Sequence, residues 1–513
     1  MESAAATTGV APVDRSAPGE KGLKAGALGY MSNVVIAVAS TAPAYSLATT
    51  LGFIAAVSGI TTHAPAILIV SFIPILFVSF GYRYLNLADP DAGTTFAWVT
   101  RALGPQLGWI NGWAIVLADV IVMASLAYIA STYTFQLVGW TSAANSNTAI
   151  IIGAVVWIAL MTWICYRGIE LSARIQMVLL SLEVVTLAIF AVVAFVDVYG
   201  SGAPAGSAHV AAGWFNPFAL NITELIGGVL LGIFIYWGWD SGVAVNEESQ
   251  NPAEGPGRAA ILSTILLVLI YVVVATAAQA DAGTKFLTNN SNDVLSVLGT
   301  RVFGSGFFQK LLLFSVLTSA SASTQTTILP TARTTISMAS WGALPKAFAR
   351  VHPRFQTPSV STLAMGGVSI VWTVLLLAFD PSTNVLGDSI TGLGFAICFY
   401  YGFTGLACLV YYRREIFRSV RRTLLVGLIP LLGAAGLFFI FGKAADDYSK
   451  AGANYSPPLL GVQVPIVIGI GGLLLGLVFM VAQWIFMPAY FRRRPQTANP
   501  QVLEEHFAAG HLT

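Results

Sequence analysis

Twelve stretches of this chain are each long and apolar enough to fill a bilayer, which leaves few folds open. A helix needs about 20 predominantly apolar residues to cross the hydrocarbon. The stretches run over approximately residues 31–57, 64–84, 106–138, 147–166, 172–198, 221–244, 259–280, 306–338, 358–379, 386–412, 422–442 and 463–487. Only 9% of the 513 residues are charged, against about 25% in a soluble domain, and the shortfall runs the whole length. The expected fold class is an all-α integral membrane protein of twelve transmembrane helices. The net charge of +2 is too small to suggest a nucleic-acid partner.

Basic residues set the orientation. With the N-terminus in the cytoplasm, twenty lysines and arginines fall inside, and Lys285, Arg301, Lys310, Lys443 and Lys450 fall outside. That is the bias the positive-inside rule requires. One missed span would scramble it, so it also supports the count. A plasma (inner) membrane protein with both termini cytoplasmic is expected. Residues 1–26, rich in Ala, Ser, Gly and Pro, read as a disordered tail without a removable signal peptide, and 491–513 read as a second tail.

Several function classes are disfavoured. No G-x-x-x-x-G-K-[ST] loop is present, so ATP hydrolysis is not expected. Cys165, Cys398 and Cys408 lie in or beside apolar runs without metal-like spacing, and the five histidines are dispersed. No enzyme, metal site or cofactor is predicted. A secondary transporter, a facilitator or a channel remains.

Two spans carry features that break helices. In "VIAVASTAPAYSLATTLGF", Pro43 sits near the middle, and proline removes a backbone donor and clashes with the preceding turn. In "LLGIFIYWGWDSGVAVNEESQNP", Gly238 and Gly242 flank Trp239, Asp240 and Ser241. A lone proline is often only a kink. A pair of interruptions in the first and sixth spans is different, because irregular backbone at membrane depth is tolerated where it lines a cavity. Transporters with inverted repeats build binding sites this way. Spans one and six are five apart, and an odd repeat must be inverted. The expected organisation is a first five-helix repeat over 27–200, an inverted second over 201–412, and two appended helices over 413–490.

Four stretches resemble a known family: "FIYWGWDSGVAVNEESQNP", "PTARTTISMASWGALPKAFARVHPRFQTPS", "NLADPDAGTTFAWVTRALGPQLGWINGW" and "GFAICFYYGFTGLACLVYYRR". Together they are similar to the amino acid–polyamine–organocation (APC) permeases, which have the LeuT-type fold. The resemblance implies a coupled transporter for amino acids or related amines, working by alternating access. It implies a substrate carboxylate on amides of the first break and an amine on carbonyls of the sixth span. The substrate-binding candidates are therefore Thr41, Ala42, Ala44, Tyr45, Phe234, Trp237 and Gly238. The family's Gly-Ser-Gly is replaced here by Ala42-Pro43-Ala44, a departure that leaves room for an amine lacking a carboxylate.

Charged residues within a bilayer are costly, so Asp119, Glu183 and Asp240 are candidates for coupling or ion binding. Glu183 falls near where several sodium-independent relatives carry a lysine. An acid there can bind and release a proton, or hold a cation. Proton coupling through Glu183 is the preferred expectation. Sodium at Ser319, Ser321 and Ser323 is an alternative, although a Ser-rich face also serves close packing. Glu247 and Glu248 are either a solvated helix end or gate residues that pair with Arg174 or Arg333. Phe399, Tyr400 and Tyr401 read more readily as packing than as a substrate wall. A passive channel, an exchanger without proton coupling and a non-transporting sensor are the competing readings. Small-molecule substrate and lipid bilayer are the expected partners.

Overall fold

The structure is a computed structural model that describes residues 21–379, 384–450 and 456–508. Helices make up the regular secondary structure of the described residues, and no strands occur among them. The first fifteen α-helices are α1 (Tyr30–Thr41), α2 (Pro43–Ala56), α3 (Ala64–Ala88), α4 (Thr95–Leu103), α5 (Pro105–Leu137), α6 (Thr141–Ala144), α7 (Asn147–Arg167), α8 (Ile169–Tyr199), α9 (Ile222–Tyr236), α10 (Ser241–Ala244), α11 (Gly255–Asn289), α12 (Val294–Phe303), α13 (Phe307–Ser340), α14 (Ser359–Phe379) and α15 (Asn384–Tyr411). Helical segments over Val420–Tyr448 and Val464–Phe486 complete the apolar bundle.

Among the described residues, eleven helical segments are long and apolar enough to cross a membrane, with Tyr30–Ala56 and Ile222–Ala244 each taken as one. The stretch expected at 306–338 does not meet that measure. It forms α13, whose 34 residues include thirteen serines and threonines. Those hydroxyls bond largely within the helix: Ser321 donates to Leu317 O, Thr324 to Ala320 O and Thr335 to Thr331 O, at 2.7–2.8 Å. Back-bonding of this kind satisfies hydroxyls locally. It lets a polar helix sit inside the bundle, where α13 packs on α5, α8, α14 and α1.

The two interrupted stretches lie at the centre. From Asn33 onward, nearly all of α1 and α2 is buried, and so are the last turns of α9 and all of α10. By contrast, α7 and α14 face outward with exposed Ile152, Val156, Leu363 and Val371, as lipid-facing helices should.

Both ends of the described chain are more ordered than the sequence suggests. Lys21 and Leu23, expected in a disordered tail, are buried, and Leu23 packs with Ala92 and Ile336. In the other expected tail, Pro500–Ala508 is helical, with Leu503 buried and Phe507 stacked on Tyr84. The reason is amphipathic: short apolar clusters inside polar segments find apolar ground on the bundle's end.

Candidate functional site

The first interruption follows from Pro43. Ala42 takes a left-handed conformation, φ 48° and ψ 71°, and the chain re-enters the helix with Pro43 as its first residue. Proline suits that position because its missing N–H is not needed there. The last carbonyls of α1 are then freed, and hydroxyls take them up. Thr41 Oγ1 donates to Val38 O (2.6 Å), Ser323 Oγ to Ser40 O (2.8 Å), Ser46 Oγ to Thr41 O (2.6 Å) and Tyr271 Oη to Thr41 O (3.3 Å).

The second interruption follows from Gly238. After Tyr236 the backbone becomes extended at Trp237 (ψ 145°), and Gly238 adopts φ 115°. Only glycine tolerates that angle readily. A side chain there would also collide with the other break, since a Cβ on Gly238 would sit 2.9 Å from Ser40 O. The two breaks therefore touch, and Ser40 Oγ and Ser241 Oγ are 2.8 Å apart.

Glu183, on α8, reaches the start of α2. Its Oε1 accepts from the Ala44 N–H (2.6 Å) and from Ser319 Oγ (2.8 Å), and the Tyr45 N–H donates to Ser319 Oγ (3.3 Å). A carboxylate at a helix N-terminus meets both free donors and the positive end of the helix dipole. Oε2 of Glu183 has no hydrogen-bond partner among the described residues. The Tyr45 hydroxyl donates to Ser125 Oγ (2.8 Å), which ties α2 to α5.

Asp240 lies beside the second break in a box of aromatics. Tyr401 Oη donates to its Oδ1 (2.9 Å), and Tyr400 and Tyr82 donate to Oδ2 (3.1 and 3.5 Å). Trp237 Nε1 donates to the Tyr400 hydroxyl. The Trp239 ring lies 4.8 Å from Tyr82 and 5.3 Å from Tyr401, centroid to centroid. Tyr400 and Tyr401, which the sequence reading favoured as packing, thus make polar contacts at the break, whereas Phe399 packs on Phe403. Tyr82 was missed. Its only signal was a hydroxyl near the polar end of α3, beside Arg83, Tyr84 and Asn86.

The remaining candidates separate. Phe234 is buried in the last turn of α9, and its carbonyl accepts from the Trp237 N–H (2.9 Å). Asp119 contacts neither break directly and accepts a hydrogen bond from Thr331 Oγ1. A groove of about 1010 Å³, lined by apolar side chains such as Trp113, Leu117, Met365 and Leu475, runs outside α5 and α14 and includes none of Glu183, Asp240 or the break residues.

Past α10, charged groups pair at one end of the bundle. Arg333 donates to Glu248 through Nε and Nη2, both at 2.9 Å, with both side chains 1% exposed. Arg174, the other expected partner, is exposed and pairs with neither glutamate. It sits on the outward side of α8, whereas Arg333 lies on the buried α13. Glu247 pairs with Lys21 (2.5 Å), which also reaches Asp91 (2.8 Å). Ser337 Oγ and the Gly93 N–H donate to Asp91 Oδ1 (2.6 and 2.7 Å), and Trp341 Nε1 donates to Oδ2 (3.2 Å). Burial alone would raise the Asp91 carboxyl, but Lys21 and these donors hold it below the usual range. Burial likewise opposes the Lys21 charge, and Asp91 and Glu247 outweigh it, so its ammonium is held above its ordinary value. Lys21 escaped notice because it lies in a stretch that reads as a tail.

A helical membrane bundle with two touching backbone interruptions, buried carboxyls beside both and buried ion pairs at one end has the makings of a solute carrier. The amino acid permease family model matches residues 28–470, and the chain belongs to that family. Its relatives are transporters rather than enzymes. The chain is 25% identical to mouse Asc-type amino acid transporter 1 over 355 residues, covering 68% of this chain and 64% of the mouse protein. It is 27% identical over 347 residues to an uncharacterized transporter of Mycobacterium tuberculosis H37Rv, covering 68% and 70%. It is 23% identical over 383 residues to the low-affinity putrescine importer PlaP of Escherichia coli K12, covering 74% and 80%.

Proposed function

We propose that this chain is a secondary active permease that moves an amino acid or small organic amine across the plasma membrane by alternating access, with the proton as coupling ion. The relatives' names, one for amino acids and one for putrescine, set the substrate range. The observation that carries the reading is the contact of the two breaks, with Ser40 Oγ and Ser241 Oγ 2.8 Å apart. Paired interruptions that face each other are how inverted-repeat transporters hold a solute near the midplane.

In this reading α13 is the twelfth span, residues 27–200 and 201–412 are inverted five-helix repeats of the LeuT type, and both termini are cytoplasmic. The excess of basic residues on one side supports that orientation. The seal formed by Lys21, Asp91, Glu247, Glu248 and Arg333 is then the inner gate, and it is shut. Glu183 is the proton site. It contacts Ala44 and Ser319 at once, so a change in its charge alters the hold of α8 on α2 and α13. That links protonation to the elements that must move.

The test is uptake into proteoliposomes with an imposed pH gradient. Wild-type protein is expected to accumulate its solute when the gradient is applied, and Glu183→Gln to equilibrate it without accumulation. Undiminished gradient-driven accumulation by Glu183→Gln removes Glu183 from the coupling. Channel-like flux, with no counterflow exchange, contradicts alternating access.

A further inference from the structure

We propose that the Glu183 side chain occupies the start of α2 and closes it to carboxylates, so that the solute carried is an organic amine without a carboxylate, its ammonium directed to the Asp240 box. This rests on the permease reading and narrows its substrate class.

The argument begins with the donors at the start of α2. A helix N-terminus attracts an anionic group through its free N–H groups. Here none is free. Pro43 has no N–H; the Ala44 N–H is spent on Glu183 (2.6 Å), the Tyr45 N–H on Ser319 (3.3 Å) and the Ser46 N–H on Ala42 O (2.8 Å). A solute carboxylate would have to displace one of these bonds and then sit beside the Glu183 oxygens, where like charges repel strongly at low dielectric.

The rest of the site favours a cation. No lysine or arginine of the described residues forms an ion pair with Glu183 or Asp240. Asp240 is held by three tyrosine hydroxyls and edged by the rings of Tyr82, Trp239 and Tyr401. Aromatic faces attract an ammonium, and a carboxylate beside them adds a full charge. Trp239 Nε1, a donor only, is buried without a partner in that box among the described residues, so it awaits an acceptor and is not itself an ammonium site. An α-amino acid brings a carboxylate that finds no free donor at the start of α2. The corresponding amine does not.

The test uses matched pairs that differ only by the carboxylate: cadaverine and lysine, agmatine and arginine, 2-phenylethylamine and phenylalanine. Counterflow exchange of each radiolabelled compound is measured in proteoliposomes of the full chain. Within at least one pair the amine is expected to exchange at least about tenfold faster, with the amino acids inert throughout. Exchange of any amino acid as fast as its amine overturns the inference and leaves the permease reading standing. If no member of any pair exchanges, the permease reading fails and takes the inference with it. Glu183→Ala frees the Ala44 N–H, and there the amino acid is expected to compete with its amine. Glu183→Gln keeps an oxygen acceptor for Ala44 but removes the charge, and is expected to weaken the preference for the amine less than Glu183→Ala does. Unchanged preference in Glu183→Ala, with exchange retained, overturns the role given to Glu183.

Discussion

Arg333 and Glu248 meet through two parallel hydrogen bonds of 2.9 Å, with both side chains almost fully out of contact with solvent. A buried pair of this kind gains little over an apolar substitute, but removing one partner strands a charge and costs about 3–5 kcal/mol. Arg333→Ala and Glu248→Ala are each expected to lower the melting temperature sharply in detergent. The double variant is expected to lose much less than the sum of the two. Thermal unfolding of all four proteins gives the coupling directly, and additive losses would contradict the pairing.

The Lys21 latch makes a prediction about pH. The Asp91 carboxyl is held below its ordinary value, so its contribution to stability is present above the unfolded pKa and is lost only as pH falls through the lower folded value. The Lys21 ammonium is held above its ordinary value, so its contribution is lost only as pH rises through the folded pKa. The Lys21–Asp91 pair therefore persists across the neutral range. Lys21→Ala removes the cation that holds Asp91 down, so the Asp91 carboxyl is expected to rise and unfolding to become more pH-dependent, with cysteine labelling at Ser337→Cys, beside Asp91, increased. Equal labelling with and without Lys21 would show that the latch does not seal this end.

Asp89 behaves in the opposite sense. Burial raises its carboxyl to about 6, against the pull of Arg101 at 2.5 Å. The folded chain then binds this proton more tightly than the unfolded chain, so its contribution to stability falls as pH rises from about 4 to about 6. Asp89→Asn is expected to flatten the stability profile in that window, read from thermal unfolding at stepped pH. An unchanged slope would contradict the assignment.

At the second break, Gly238→Ala places a side chain at φ 115° and 2.9 Å from Ser40 O. Strain of this order costs about 1–3 kcal/mol where the surroundings hold the conformation. Uptake is expected to fall at least about tenfold in consequence, with the protein still folded. Normal uptake by Gly238→Ala would mean that the breaks do not need to touch.

The sequence carried the fold's larger features because they rest on strong local physics. Apolar runs of bilayer length mark spans, Pro43 forces a helix end, and Gly238 permits an angle that other residues resist. It also placed Glu183 and Asp240 among the candidates, because a carboxyl in an apolar run stands out. It missed contacts made at long range. Lys21 is joined to Asp91 across 70 residues and to Glu247 across 226, and nothing near Lys21 announces either. Tyr82, Tyr400 and Tyr401 converge on Asp240 from two different helices, and a tyrosine in an apolar span looks the same whether it packs or donates. Arg174 and Arg333 were equivalent in sequence. Only the packing of α13 inside the bundle separates them.

The central claim is that a solute is held where the two breaks meet, at Ser40 and Ser241. The most direct measurement is uptake by Ser241→Cys in reconstituted vesicles, before and after thiol alkylation, with and without saturating solute. The account predicts that alkylation abolishes uptake and that solute protects the thiol. Full uptake after complete labelling at that position would contradict it.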